Sequence, residues 1–469
     1  MIKVKIFLSL IFSIYFSKQL TIAPIIYFKY DTKGNIYKTE NDYTSIGGWG
    51  LASNYKNKNL NIKFNFYNNR FYNITNKPNE FTPYQGYSWF RKVDFQDPSR
   101  KDYDFDIANL LIDYSVNDFV FYFGKFNSDW HEGNSSLTLS NKSPSFPKLG
   151  FKFLINENLY FEYFHAQLKT SIVDSLNLND FQNGGARTPF KKRNLAAHKI
   201  NFKLTSKLNI SLIEMVVYSR NFDIHYTLPF IPFWSMQHYL GDTDNILMSA
   251  NFKYNLSADK YIYGELLLDE WTPAITFKKR NRNWFGYQLG FKLNNVCLSQ
   301  DSFRTEYTWT DHRIYRHRYE INDFYSHDYP IGFWGGPHAQ EFYSNYSFKL
   351  NELFFDLTYS NAKRGVLSDE MLTNQYTNNL ENFKRFGDGY EQISNIELRI
   401  QKHILSGLFL ECGVNFIDWK NTDFDTSGLN NSSLVDIKKE SLFFGFSYNY
   451  DFKKEEPFIH KNSYKYIIN

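Results

Sequence analysis

Hydrophobic and polar residues alternate with a period of two along most of the chain. Leu60, Ile62, Phe64 and Phe66 are separated by Asn61, Lys63 and Asn65, and Phe303, Thr305, Tyr307 and Trp309 by Arg304, Glu306 and Thr308. Ile396, Leu398 and Ile400 oppose Glu397, Arg399 and Gln401. Close to the end, Leu442, Phe444, Phe446, Tyr448, Tyr450 and Phe452 oppose Gly445, Ser447, Asn449 and Asp451. Successive side chains of a strand point to opposite faces, so each run has one greasy side and one wet side. Marking every such run predicts about 18 strands, near residues 22–30, 44–55, 59–67, 105–115, 118–126, 149–155, 159–168, 198–205, 208–219, 245–255, 261–269, 284–293, 302–310, 341–349, 353–361, 393–401, 408–417 and 441–452. Their lengths cluster around the roughly 9–11 residues that a tilted strand needs to cross a hydrocarbon layer.

The connections sharpen this reading. Short links such as Asn156-Glu157-Asn158, Ser206-Lys207 and Asn351-Glu352 alternate with long ones near 68–104, 127–148, 169–197, 220–244, 311–340, 362–392 and 418–440. That asymmetry predicts an all-β fold, a transmembrane antiparallel outer-membrane β-barrel with short periplasmic turns and long extracellular loops. Closure is a physical requirement, because an open sheet edge in lipid strands unpaired N–H and C=O groups at several kcal/mol each. An even strand number puts both ends of the barrel in the periplasm. The long loops 127–148 and 311–340 are candidates to fold inward and block the pore.

The ends of the chain differ from the rest. Lys3 and Lys5 precede the apolar run Ile6 to Phe16, which is too short for a spanning helix and reads as a secretory signal without a clear cleavage site. The organisation is therefore a leader at 1–19, a barrel at 20–452 and a polar tail at 453–469, expected as a periplasmic extension. Beyond the leader no window approaches the roughly 20 apolar residues of a transmembrane helix.

Composition narrows the function. In 469 residues the chain has 47 Phe, 36 Tyr and 9 Trp, yet its mean hydropathy is −0.50, as alternating rings and polar groups require. A charged fraction of 22% with so many aromatics excludes wholesale disorder. Two cysteines, Cys297 and Cys412, cannot build a disulfide framework or a cysteine metal site, and a bridge between the periplasmic turn of one and the lipid-facing row of the other is not expected. The formal charge of +4 falls to about +1 without Lys3, Lys5 and Lys18, so nothing favours a nucleic-acid partner.

Charged residues on the wet rows, Glu162, Glu214, Glu265, Asp269, Arg304, Glu306, Glu397, Arg399 and Glu411, are expected in the lumen. There they either pair across neighbouring strands and brace the wall or line a path for a solute. Two loop segments are basic, Arg187, Lys191, Lys192 and Arg193, then Lys278, Lys279, Arg280 and Arg282, and suit anionic sugars or the phosphates of outer-leaflet lipid, including lipopolysaccharide. Trp234, Trp271, Trp284, Trp309, Trp334 and Tyr315, with Arg313 and Arg316, lie among polar loop groups, a mixture that stacks on and hydrogen-bonds a saccharide. The competing account is the interfacial aromatic girdle, which claims Trp284 and Trp309 at strand ends. His312, His317, His327 and His338 share one loop with Asp311, Asp323 and Asp328, and His131-Glu132 follows Asp129-Trp130, but no compact zinc spacing links them. No nucleophile or nucleotide-binding motif occurs, so neither a catalytic role nor a cofactor is expected.

Several segments resemble the Wzi-type capsule assembly family of outer-membrane proteins. Gly124-Lys125, then Ser135-Ser136-Leu137-Thr138-Leu139-Ser140-Asn141 with Pro144 and Pro147, is similar to its G-S-L-x-x-S-N segment, although the glycine is replaced by Ser135. Gly241-Asp242-Thr243-Asp244-Asn245 resembles its D-N motif, and Tyr263-Gly264-Glu265 through Asp269 its Y-x-E-x-x-x-D strand. Glu306-Tyr307-Thr308, then Tyr325-Ser326-His327 with Gly332 and Gly335-Gly336-Pro337-His338-Ala339, match E-Y-T and Y-x-H-x-x-x-x-G stretches. The resemblance implies an 18-stranded barrel that binds capsular or related exported polysaccharide at the cell surface and helps anchor it. Family members can carry helices that close the periplasmic end, for which there is little room before the first strand here.

The expectation is thus a non-enzymatic, multi-pass outer-membrane barrel whose partners are surface polysaccharide, outer-membrane lipid and, during insertion, the barrel assembly machinery. The candidate polysaccharide contacts are Arg187, Lys191, Lys192, Arg193, Trp234, Trp271, Lys278, Arg280, Arg313, Tyr315, Arg316 and Trp334, with Glu265, Asp269, Arg304, Glu306, Glu397 and Arg399 in the lumen. The rivals are a substrate-specific porin with an open lumen and an outer-membrane lipid- or glycan-modifying enzyme.

Overall fold

The computed structural model describes residues 14–15, 20–34, 43–74, 81–88, 91–92, 102–178, 188–276, 283–367, 384–454 and 456–457. They form a closed antiparallel barrel of 18 long strands in an outer-membrane protein. The strands are β1 (Leu20–Asp31), β2 (Thr44–Lys56), β3 (Leu60–Tyr72), β4 (Tyr103–Val116), β5 (Phe119–Phe126) and β6 (Phe146–Asn156). Then follow β7 (Leu159–Val173), β8 (Phe190–Lys203), β9 (Leu208–Tyr218), β10 (Asn245–Ser257), β11 (Lys260–Glu270) and β12 (Trp284–Asn294). The last six are β13 (Ser302–Thr310), β14 (Ala339–Leu350), β15 (Leu353–Gly365), β16 (Tyr390–Leu405), β17 (Leu408–Thr422) and β18 (Val435–Tyr448). Each pairs with its sequence neighbours, and β18 closes on β1 from Ile26 opposite Tyr448 to Asp31 opposite Phe443. Asn117, Asn351 and Gly407 take positive φ of 50°, 54° and 81° in the tight periplasmic turns, the backbone that such turns demand. No helix is long and apolar enough to cross a membrane. The backbone of Ile14–Tyr15 pairs with the start of β1.

Every predicted strand has its counterpart, but several run further at the extracellular end. β8 begins at Phe190, so Lys191, Lys192 and Arg193 lie on a strand and not in a loop. Above the membrane both faces of a strand meet water, so alternation fades before the hydrogen-bonded ladder ends.

The end of the chain departs from expectation. β18 stops at Tyr448, and Asn449, at φ 56°, turns the backbone inward while its side-chain amide donates to Pro24 O at 2.8 Å. Tyr450 and Phe452 therefore do not continue the lipid-facing row. Tyr450 stacks on Tyr27 at 3.9 Å and meets Tyr67 edge-on, and Phe452 packs on both Tyr27 and Tyr450 inside the barrel. The backbone of Tyr450–Asp451 then pairs with Glu456–Pro457, and residues 458–469 of the expected tail lie outside the described residues. These C-terminal aromatics pack inside the barrel just beyond the last strand.

Candidate functional site

The lumen is filled from the extracellular side. Residues 127–145, between β5 and β6, and 311–338, between β13 and β14, fold inward, and residues 81–88 join them. Leu137, Leu139, Ile314, Tyr315, Phe324, Ile331 and Phe333 have no exposed surface and form one core with inward residues of the wall, including Leu195, Met215, Val217, Leu247 and Leu267. The inner face of β8–β11 is thus apolar where it meets this plug, a local reversal of the oily-outside, wet-inside pattern. Lys142 ties in the third segment, donating to Thr82 O at 2.8 Å and Tyr84 O at 3.0 Å while Gly86 N donates to Lys142 O at 2.7 Å.

Carboxylates of the wall hold the plug. Glu265, on β11, accepts from Leu137 N at 2.8 Å, Ser136 Oγ at 3.1 Å, Ser249 Oγ at 3.2 Å and the Thr138 hydroxyl. Glu306, on β13, accepts from Asn134 N at 2.8 Å, Tyr263 OH at 2.7 Å and Gln288 Nε2 at 2.9 Å. Asp269 accepts from Tyr315 N at 2.6 Å, and the Tyr315 hydroxyl donates to Leu137 O, joining the two plug loops. A carboxylate facing backbone N–H groups makes charge-assisted bonds, stronger than neutral ones. Gly332 is required by this junction, since a Cβ there would lie 2.1 Å from Leu137 O and 2.5 Å from Tyr315 OH. Segments separated by more than a hundred residues, those that carried the family resemblance, meet here.

The other lumen candidates are distributed differently. Arg399 bonds Glu397 Oε1 at 2.9 Å and Glu411 Oε2 at 3.4 Å, with Lys29 at 3.7 Å from Glu411, a braced ionic cluster that shares a small cavity with Tyr84 and Tyr87 of the third inward segment. Arg304 lies over the Tyr263 ring at 5.9 Å. Glu162 faces the lumen and takes the Trp130 indole at 3.2 Å. Glu214 is a correction: it points to the outer face of the wall, because β9 turns Ile213, Met215 and Val217 toward the plug.

Glu214 is nevertheless buried, beneath a flap. The connection 219–244, between β9 and β10, descends over the outside of β7–β10 and returns through α1 (Phe233–Tyr239). Glu214 accepts from Phe233 N at 2.7 Å and Trp234 N at 2.6 Å, and bonds His198 Nε2 at 3.0 Å. His198 Nδ1 meets Pro229 O at 2.9 Å, and Tyr163 OH donates to Tyr226 O at 2.9 Å. Glu214 is six residues above the periplasmic end of β9, about 15 Å at ~3.3 Å per residue and ~40° of tilt, near mid-membrane. Irregular backbone at that depth needs partners, and polar side chains on the outer wall supply them.

The remaining sequence candidates separate by environment. Arg187, Lys278, Lys279, Arg280 and Arg282 lie outside the described residues. Tyr315, Trp334 and Arg313 are buried plug residues: Trp334 donates to Glu341 at 2.9 Å, and Arg313 grips Asp311 with Nε at 2.8 Å and Nη2 at 2.9 Å. Arg316 pairs with Asp323 at 3.0 Å, and Arg193, buried, donates to the Asp323 carbonyl. Packing within the plug therefore accounts for these five. Trp284, assigned to the girdle by sequence, faces inward with Arg313 at 5.5 Å from its ring, whereas Trp309 stacks on the exposed Tyr287 at 4.7 Å. Trp234 is exposed on the flap against the wall, and Trp271, Lys191 and Lys192 are exposed.

Burial perturbs the plug's titratable groups. It pushes the Asp129 and Asp323 carboxyls up to about 7 and the His312, His317 and His338 imidazoles down to about 4. Among the described residues no group of three or more His, Cys, Asp or Glu could hold a metal ion.

A sequence profile of the capsule assembly protein Wzi family matches residues 12–433. The chain is a member of that family. Among solved structures, this Wzi-family chain is similar to OprD of Pseudomonas aeruginosa at 11% identity, with 94% of this chain and 97% of that chain covered and a TM-score of 0.43. It is similar to Acinetobacter baumannii OccAB3 at 12% identity, 92% and 98% coverage and a TM-score of 0.44. For Pseudomonas aeruginosa OccK5 (OpdH) the values are 9%, 93%, 99% and 0.47. A search of curated proteins gave no match.

Proposed function

We propose that this Wzi-family barrel binds capsular or other exported polysaccharide at the cell surface and helps its assembly or attachment there, without chemical turnover. The family match over residues 12–433 carries the reading, and the plug supports it, since a lumen filled by the family-like segments suits a surface anchor better than a wide diffusion channel. The external loops around the plug are the glycan-facing surface. Trp271, exposed on the β11–β12 loop, offers a ring face to a sugar, and Lys278 and Arg280 follow it in the same connection. Outer-membrane lipid and the barrel assembly machinery remain the other partners of this reading.

Deletion of the gene tests it: polysaccharide is expected to escape from cells into the medium, with retention restored by the intact gene and reduced by Trp271→Ala. The purified barrel is expected to be retained on an immobilised acidic polysaccharide and to be silent in planar bilayers at neutral pH. Unchanged polysaccharide retention together with steady conductance steps would refute the anchor and favour a solute porin. Turnover of lipid or glycan by the purified barrel would refute the non-enzymatic part.

A further inference from the structure

Beside the flap, a cleft of about 1010 Å³ opens on the outer wall of the barrel, between the upper parts of β5–β8 and the start of the 219–244 connection. Its floor carries Phe123 and Leu149, which are 53% and 60% exposed on the lipid-facing rows, and its sides carry Phe190 and Phe222. Lys191 and Lys192 stand exposed at its upper end. The rim carboxylate, Asp174, accepts from the Asn177 side chain at 2.7 Å.

Height along the wall distinguishes a lipid site from a sugar site. Lys191 is twelve residues above Lys203, the periplasmic end of β8, which gives about 30 Å at ~3.3 Å per residue and ~40° of tilt. Leu149 is seven residues above Asn156, about 18 Å by the same conversion. With a hydrocarbon layer of about 25–30 Å, the lysines stand at the level of the outer-leaflet headgroups and the aromatic floor among the acyl chains. An apolar floor facing lipid with two ammonium groups at headgroup height is complementary to an anionic lipid and offers a water-borne polymer no path to the floor.

We propose that this cleft is a binding site for a phosphorylated, acylated glycolipid of the outer leaflet, with acyl chains on Phe123, Leu149, Phe190 and Phe222 and a phosphate on Lys191 and Lys192. It goes beyond the polysaccharide reading and moves these two lysines from the glycan to the membrane. The flap, pinned to the wall through Glu214 and His198, forms one side of the cleft.

The test is native mass spectrometry of the detergent-solubilised barrel, with diphosphoryl lipid A and its dephosphorylated form as probes. Diphosphoryl lipid A is expected to stay bound in preference, and Lys191→Ala/Lys192→Ala to lower the bound fraction on the order of tenfold, with the barrel still folded by its heat-modifiable gel mobility. Phe222→Ala is expected to weaken both lipids equally, because it removes chain contact and not charge. Equal retention of the two lipids by the native barrel, or a double variant that binds like the native protein, would overturn the site. So would loss of retention on immobilised acidic polysaccharide by the double variant with lipid binding intact. Polysaccharide retention is read separately through Trp271→Ala, so failure of either proposal is seen without the other.

Discussion

Removing the Glu265 carboxylate is expected to undock the plug and leave the barrel standing. Glu265→Ala takes away the acceptor of the Leu137 amide, the Ser136 and Thr138 hydroxyls of the plug and Ser249 of the wall. The hydroxyls can rotate toward other acceptors, but the Leu137 N–H is fixed by the backbone and is left buried without a partner. An orphaned buried donor costs about 1–3 kcal/mol, and the charge-assisted bonds lost with it bring the total to roughly 3–5 kcal/mol, since contributions within one cluster do not add. About 4 kcal/mol is a factor of ~10³ in the ratio of docked to released plug. Glu265→Gln keeps one carbonyl acceptor for the amide and is expected to cost about half as much. Hydrogen exchange reads this directly: protection of the Leu137 to Ser140 amides should fall by about three orders of magnitude in Glu265→Ala if the plug opens as a unit. Strand amides and heat-modifiable gel mobility should be unchanged. Plug amides that keep native protection in Glu265→Ala would refute the clamp, and loss of strand protection would show that the carboxylate supports the whole barrel.

Further outcomes follow from the same structure. Glu214→Ala leaves the Phe233 and Trp234 amides without their acceptor at mid-membrane depth, where each unmet group costs several kcal/mol, so protease cleavage within 224–240 should appear in the folded barrel. A flap as resistant as in the native protein would contradict this. Tyr450→Ala removes a buried ring stacked on Tyr27 and should lower stability by about 3–5 kcal/mol, measured as an earlier shift to the unfolded gel band with urea; no shift would mean that the C-terminal aromatics brace nothing. His312, His317 and His338, held neutral and titrating at about 4 when docked against about 6.5 when released, favour the docked state fully above pH 6.5 and progressively less toward pH 4. Asp129 and Asp323, raised to about 7, act the other way and favour docking as the pH falls from 7 toward 4. Asp129→Asn/Asp323→Asn removes that opposition, so its plug amides should lose hydrogen-exchange protection more steeply between pH 6.5 and pH 4.5 than those of the native barrel, and equal slopes would refute the assignment.

The alternation of residues such as Leu60 to Phe66 and Phe303 to Trp309 by itself determined the strands, and the uneven connections determined the barrel and its orientation. Both are local properties, because a strand's two faces are written in every second residue. What covers each face is not local. Only the tertiary structure decided that the wall behind Met215, Val217 and Leu247 faces an apolar plug, which sends Glu214 outward, and that Trp284 points in while Tyr450 and Phe452 fold back into the lumen. The same is true of Glu265, whose charge suggested a counter-ion across the wall and whose partners, apart from Ser249, are plug N–H and hydroxyl donors on residues 127 to 129 positions away in the chain. The basic run at Lys191 to Arg193 looked like a loop because charge at the end of a strand carries no period. Its partition between the outer leaflet and the plug depends on the height of each side chain and the face it occupies, and those are set by the closure of the barrel.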